Sequence, residues 1–223
     1  MLTKERKEKV VEALQKAIQA KSYSGEEKEV VEYLEKLFKD IGYDTVHIDR
    51  YGNIIGCIKG KKNGLKVLMD GHMDTVPVQE EKWKENAFGG EVKDGKIYGR
   101  GTSDMKGALI SMALAGAYFA EDTKKDFSGE IYVAGIVHEE CFEGVAAREV
   151  SKYVKPDIVI IGEASEYPCE IYSGGKRILK IPRNYFGYER LFYELDKRNI
   201  IRKDDLYVAA KSALKIDKEG LKQ

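Results

Sequence analysis

The sequence predicts an α/β fold: a mixed, largely parallel sheet flanked by helices. Two observations carry this expectation. Short, mostly apolar runs of strand length recur at residues 65–69, 131–137 and 158–161, and segments with helical character stand between them at 105–120 and 145–153. A third observation bears on the end of the chain. Composition shifts at Gly174 and Gly175, after which charge-rich amphipathic stretches dominate.

From the start of the chain, Val10, Val11, Leu14, Ala17 and Ile18 recur at helical spacing and give a first amphipathic helix. Ser24 with Glu27 three residues on reads as a capping box opening a second helix. That helix carries Val30, Val31, Tyr33, Leu34, Leu37 and Phe38 and stops near Gly42. Two β-type runs, 45–48 and 54–58, flank a turn of Asp49, Arg50, Tyr51, Gly52 and Asn53, so the pair reads as a hairpin. The run 65–69 reads as a buried strand ending at Asp70 and Gly71. The Ala-rich run 108–120 is too short to span a bilayer and reads as a buried helix. Beyond Gly175, residues 178–181 are strand-like, and 185–198 and 204–216 are helix candidates. The expected organisation is therefore residues 1–173 as one unit and 174–223 as a mainly helical tail.

Composition excludes several classes. The 38 basic residues balance 38 acidic ones, so no global charge draws the chain to nucleic acid or to an anionic membrane. The first residues mix charged and aliphatic side chains with no continuous apolar stretch, which argues against a signal peptide. Three widely spaced cysteines (Cys57, Cys141, Cys169) do not make a disulfide framework, and a reducing, cytoplasmic setting is expected.

The chemistry-bearing residues sit just past the strand-like runs, where ligands bind in open α/β sheets. His72 and Asp74 follow the run ending at Met69, and residues two apart on an extended chain share a side. The Asp74 carboxylate can then orient the His72 ring. Asp104, in Gly99-Arg100-Gly101-Thr102-Ser103-Asp104, opens an apolar helix and by itself reads equally as a helix N-cap. The glycines there make neither a dinucleotide fingerprint nor a P-loop. Glu139 and Glu140 follow the run ending at Val137, and as neighbours on an extended chain they face different partners. Glu163 follows the run ending at Ile161. Each acidic residue alone also reads as a solvated carboxylate at a strand end. His47 reads as a half-exposed strand residue, His138 as a hydrogen-bonded neighbour of the site, and Cys141 as a small apolar filler. Trp83 and Phe88 read as packing a loop over the core.

Taken in order, the stretches DRYGNIIG, VLMDGHMDTVPV, YGRGTSDMKGALISMALA, VHEE and IIGEAS resemble the co-catalytic zinc metallopeptidases. That family includes acetylornithine deacetylase, succinyl-diaminopimelate desuccinylase, aminoacylase and carboxypeptidase G. The resemblance covers about residues 5–173 and implies a zinc-peptidase-like fold. It implies that His72, Asp104, Glu140 and Glu163 are metal ligands, with Asp104 bridging two ions and often followed by a cis peptide. Glu163 would complete the His72 metal, and Glu140 would serve the other. It further implies Glu139 as general base, with Asp74 orienting His72. Two zinc ions are expected, with cobalt as a substitute, and the partner implied is a small amide substrate.

One departure stands beside the match. The family's sixth ligand is a later histidine, and no histidine follows Glu163 here. The resemblance therefore implies an incomplete domain whose second metal site lacks a protein ligand. Self-association through an uncovered sheet edge is one expected outcome. Two functions follow: a metal-dependent hydrolase of amide bonds in N-acyl amino acids or small peptides, or a truncated, non-catalytic relative with partial metal binding.

Overall fold

The structure, a computed structural model, describes residues 3–163 and, beyond them, the backbone of three short strands. Helix α1 (Lys4–Gln19) starts where the Thr3 hydroxyl accepts the Arg6 amide, and it buries Ala13, Leu14, Ala17 and Ile18. Helix α2 (Lys28–Asp40) buries Val30, Val31, Leu34 and Phe38, the expected stripe. Its start differs from the expected capping box. Neither Ser24 nor Glu27 caps α2, because both side chains are engaged by loops of the sheet, described below.

Strands β1 (Thr45–Ile48), β2 (Ile54–Lys59) and β3 (Lys62–His72) follow, then a small hairpin of β4 (Glu91–Lys93) and β5 (Lys96–Tyr98). Helix α3 (Lys106–Asp122) leads to β6 (Ser128–Ile136), the four-residue α4 (Glu139–Phe142), α5 (Ala147–Val154) and β7 (Ile158–Ile161). The five-stranded sheet runs β1-β2-β6-β3-β7, antiparallel across β1, β2 and β6 and parallel across β6, β3 and β7. It is thus the mixed α/β sheet expected.

Alternation along the strands divides the core in two. Val67 and Met69 of β3 and Ile131 and Val133 of β6 face α1, α2 and α3. Leu68 of β3 and Tyr132, Ala134 and Ile136 of β6 face Val150 and Val154 of α5. Helix α3 is buried on nearly every side, so its small residues are its packing surface. The connection β3–α3–β6 therefore crosses one face of the sheet and β6–α5–β7 the other, and the chain reverses its direction of winding about β3. Such a reversal opens a crevice at the carboxyl ends of the strands.

One charged residue enters this core. Lys106, 1% exposed, donates from Nζ to the carbonyls of Ala17 and Ala20 at 2.8 Å each. An ammonium at the carboxyl end of α1 meets carbonyls the helix leaves unpaired. Burial pushes its pKa down to about 7.

Past residue 163, β8 (Cys169–Ser173) and β9 (Lys176–Ile181) form a hairpin, joined by β10 (Leu206–Tyr207) in a separate three-stranded sheet. The strand-like residues 178–181 lie in β9. The helix expected over 204–216 is corrected at Leu206 and Tyr207, which pair antiparallel with Ser173 and Tyr172. An aromatic residue beside Leu and Val suits a strand when an edge offers it a ladder. The helix expected over 185–198 lies outside the described residues, as does the rest of the tail. No described helix is long and apolar enough to cross a membrane.

Candidate metal centre

The crevice is built by four strand-end loops. The end of β3 is stitched to its neighbours by Met73 N–H donating to Ile136 O (2.8 Å) and Gly162 N–H donating to Asp70 O (3.0 Å). This places His72, the residues after β6 and Glu163 side by side. Asp104 arrives from the turn before α3, and the Asp104–Met105 peptide is cis, as the resemblance implies.

At the centre lies the buried His72 imidazole. Its Nε2 is 2.9 Å from Asp104 Oδ1, 3.7 Å from Glu163 Oε1 and 3.9 Å from Glu139 Oε2. Its Nδ1 donates to the backbone carbonyl of Asp74 at 2.9 Å, with Asp74 Oδ1 at 3.4 Å. The ring is therefore oriented by Asp74, but chiefly through the peptide oxygen rather than the expected carboxylate. His72, Asp104 and Glu163 each present one donor atom, all within 4.8 Å of one another. One imidazole nitrogen and two carboxylate oxygens suit zinc, so the donor set fits the ion the resemblance implies. Glu140 is not part of this three-donor cluster.

The carboxylate of Asp74 is fully buried and has another use. It accepts Ser24 Oγ–H (2.7 Å) and the backbone amides of Glu139 and Glu140 (3.1 Å each). The two glutamates are consequently not on an extended chain, as expected, but in the first turn of α4. The physical reason is the turn at His138, whose φ of 57° swings the chain out of strand geometry and aims both amides at Asp74.

Electrostatics follow from this crowding. Burial opposes charge on His72, but hydrogen bonds to Asp104 and Asp74 and the charge of Glu163 outweigh it, so its pKa is pushed up to about 11. The His72 hydrogen bond holds Asp104 below the usual carboxylate range against burial. Burial acts on Asp74 too, yet bonds from His72, Ser24 and the Glu140 amide keep it low. Glu139 is raised, by burial and then by Glu163, Asp74 and Asp104, with His72 opposing. Burial with Asp104, Asp74 and Glu139 likewise raises Glu140. A carboxylate moved toward neutrality is better matched to taking and returning a proton. Asp70, one turn of the pleat below His72, is pushed to about 7 by burial and by Glu163.

The remaining candidates separate cleanly. His47 is half-buried and stacks on Tyr153 (4.4 Å between centroids), away from the centre. His138 adjoins the site, its amide bonded to Glu27. Cys141 is exposed, which corrects its reading as an apolar filler; it lies on the outer side of the short helix α4. Trp83 lies under the Arg100 guanidinium (5.3 Å), and Phe88 meets Tyr23 edge-on (5.9 Å). Sequence reasoning missed Asn53, Asp70 and Lys106. Lys106 left one signal, a lone cation at the head of an apolar helical run.

Comparison with known proteins bears on the family and the fold. The profile of a family described as peptidase family M20/M25/M40 matches residues 68–188. An uncharacterized protein of Escherichia coli (strain K12), YgeY, is 33% identical over 163 residues, 72% of this chain and 39% of its own length. Succinyl-diaminopimelate desuccinylase 2 of Ruegeria sp. (strain TM1040) is 29% identical over 161 residues, 69% of this chain and 40% of its own. Among solved structures, the M20 family metallo-carboxypeptidase Sso-CP2 from Sulfolobus solfataricus superimposes with a TM-score of 0.61. Its sequence is 20% identical, and the match covers 77% of this chain and 40% of that one. This chain thus spans about two-fifths of the length of the proteins it matches.

Proposed function

The chain belongs to the peptidase family M20/M25/M40, and from that premise we propose that it is a metal-dependent hydrolase of amide bonds in N-acyl amino acids or small peptides. The observation that carries this reading is the gathering of His72, Asp104 and Glu163 within 4.8 Å, with Glu139 3.9 Å from the same imidazole nitrogen. A relative named for removing a succinyl group supports the acyl-amino-acid class.

In this reading His72, Asp104 and Glu163 would hold one zinc ion, for which cobalt could substitute, and Glu140 would serve a second. The ions supply Lewis acidity, polarising the amide carbonyl and acidifying water. The protein's own part is positional and protonic. Glu139 takes the proton of the attacking water at a carboxylate oxygen, then returns it to the departing amine nitrogen. Asp74 fixes both the His72 ring and the peptide that carries Glu139. Residues 1–173 would form the N-terminal part of the catalytic domain and 174–223 a distinct tail.

A second reading, one ion and no turnover, is favoured by the absence of a histidine after Glu163 in these 223 residues. One experiment separates the two. The purified chain is loaded with zinc or cobalt, its metal content is measured, and it is assayed across N-acyl amino acids and dipeptides, with Glu139→Gln as control. Two ions and turnover lost in Glu139→Gln support the hydrolase. One ion with no turnover supports the second reading, and no bound metal removes both.

A further inference from the structure

The pair Ser24 and Glu27, which by spacing should cap α2, does something else. Four consecutive backbone amides lead into the first turn of α4, and each is taken by a buried side chain from another part of the fold. Val137 N–H donates to Asn53 Oδ1 (3.0 Å), His138 N–H to Glu27 Oε1 (3.1 Å), and the Glu139 and Glu140 amides to Asp74 (3.1 Å each). Glu27 is 6% exposed, and Asn53 and Asp74 are fully buried. A run of amides held singly by side chains is unlike a helix or ladder, where backbone carbonyls accept.

The loop that carries Glu27 is itself fastened to the site. Ser22 Oγ–H donates to Met73 O (2.6 Å), Thr75 N–H donates to Ser22 O (2.8 Å), and Ser24 Oγ–H donates to Asp74. Glu27 Oε1 also accepts Gly25 N–H at 3.0 Å, while Gly25, at φ +90°, lies against the His138 ring. The left-handed His138 is the residue that redirects the chain from β6 into α4. A non-glycine residue in that conformation is costly and persists when its surroundings hold it.

We infer that Glu27 is a positioning residue for Glu139: by holding the His138 amide, together with the Ser24–Asp74 hydrogen bond, it fixes the turn that directs the Glu139 carboxylate toward His72. This rests on the reading of Glu139 as the base, and it deepens that reading. Glu27 touches none of the three donors of the metal centre, so its removal should disturb direction rather than ion binding. Gln at this position keeps an accepting oxygen, whereas Ala keeps none.

The test is made first on the metal-free full chain by NMR. Wild type should show slow exchange of the His138, Glu139 and Glu140 amides and a cross-relaxation peak between Glu139 side-chain protons and the His72 ring. In Glu27→Ala the His138 amide should exchange at least about tenfold faster and the cross peak should vanish, with α3 amides unchanged; Glu27→Gln should restore both. Ser24→Ala, a milder change, should loosen Glu139 and Glu140 more than His138. In the zinc-loaded chain Glu27→Ala should lower kcat about tenfold at unchanged KM and unchanged zinc content. Unchanged exchange and cross peak in Glu27→Ala, or zinc lost in step with kcat, would overturn the inference. Wild-type chain without turnover but with these signals intact would instead overturn the hydrolase reading and leave the turn's dependence on Glu27 established.

Discussion

His72 and Asp104, 32 residues apart in sequence, meet at 2.9 Å between imidazole Nε2 and carboxylate Oδ1. Because Nδ1 is engaged with the Asp74 carbonyl, both ring nitrogens face oxygen acceptors, and the metal-free ring carries two protons at neutral pH, with a pKa of about 11. A cation arriving at Nε2 must displace one of them. We predict that zinc uptake at pH 7 releases close to one proton from His72, and that apparent affinity climbs roughly tenfold per pH unit between pH 6 and 9. Calorimetric titration in buffers of different ionisation heat measures both, and a pH-independent affinity would contradict the shared-proton geometry.

Asp70 gives a stability prediction of definite sign. Burial and Glu163 raise its pKa from 3.8 to about 7 in the folded chain. Between those values the folded state keeps a proton that the unfolded state has lost. The contribution is therefore full below about pH 4 and disappears as pH rises through about 7. Asp70→Asn should gain stability relative to wild type on going from pH 5 to pH 8, read by urea unfolding in the presence of a chelator.

Lys106 tests the junction of α1 and α3. Lys106→Ala removes the donor shared by the Ala17 and Ala20 carbonyls and opens space beside Gly101, and should destabilise by about 3 kcal/mol. Lys106→Met keeps the apolar stem without a charge to desolvate, so it should recover part of that loss. Equal unfolding midpoints for both variants and wild type would count against the junction.

Gly129 is a backbone test remote from the metal centre. Its φ is +94°, and an added Cβ would meet the carbonyl oxygen and amide of Leu65 in the neighbouring strand. Gly129→Ala should cost roughly 2–3 kcal/mol by thermal or urea unfolding while leaving zinc stoichiometry unchanged.

What could be read from the sequence follows from what local pattern encodes. The apolar runs 65–69 and 158–161 fall within β3 and β7, and the buried Ala-rich stretch is α3, because burial on both faces leaves an unbroken hydrophobic signal. His72, Glu139 and Glu163 after apolar runs, with Asp104 opening an apolar helix between them, pointed to one crevice, since strand ends in a parallel layer lie side by side. The hairpin β4–β5 escaped notice although Asp94 and Gly95 are a turn pair suited to positive φ, because Glu91–Lys93 and Lys96–Tyr98 are three residues each and largely exposed, too short for their alternation to stand out. Ser24 and Glu27 misled for a different reason. Spacing along the chain registers the nearest amides, whereas Ser24 donates to the Asp74 carboxylate 50 residues away and Glu27 accepts the His138 amide 111 residues away.

That last pairing alters how the molecule should be divided. The family profile matches from Leu68 onward, yet the hydrogen bonds of residues 22–27 hold the turn into α4 from well upstream. A fragment trimmed to the recognised stretch would keep every proposed ligand and lose the brace behind them. The bounds of a family profile and the reach of the hydrogen bonds that shape the turn into α4 thus differ, and a fragment meant to keep that turn has to include residues 22–27.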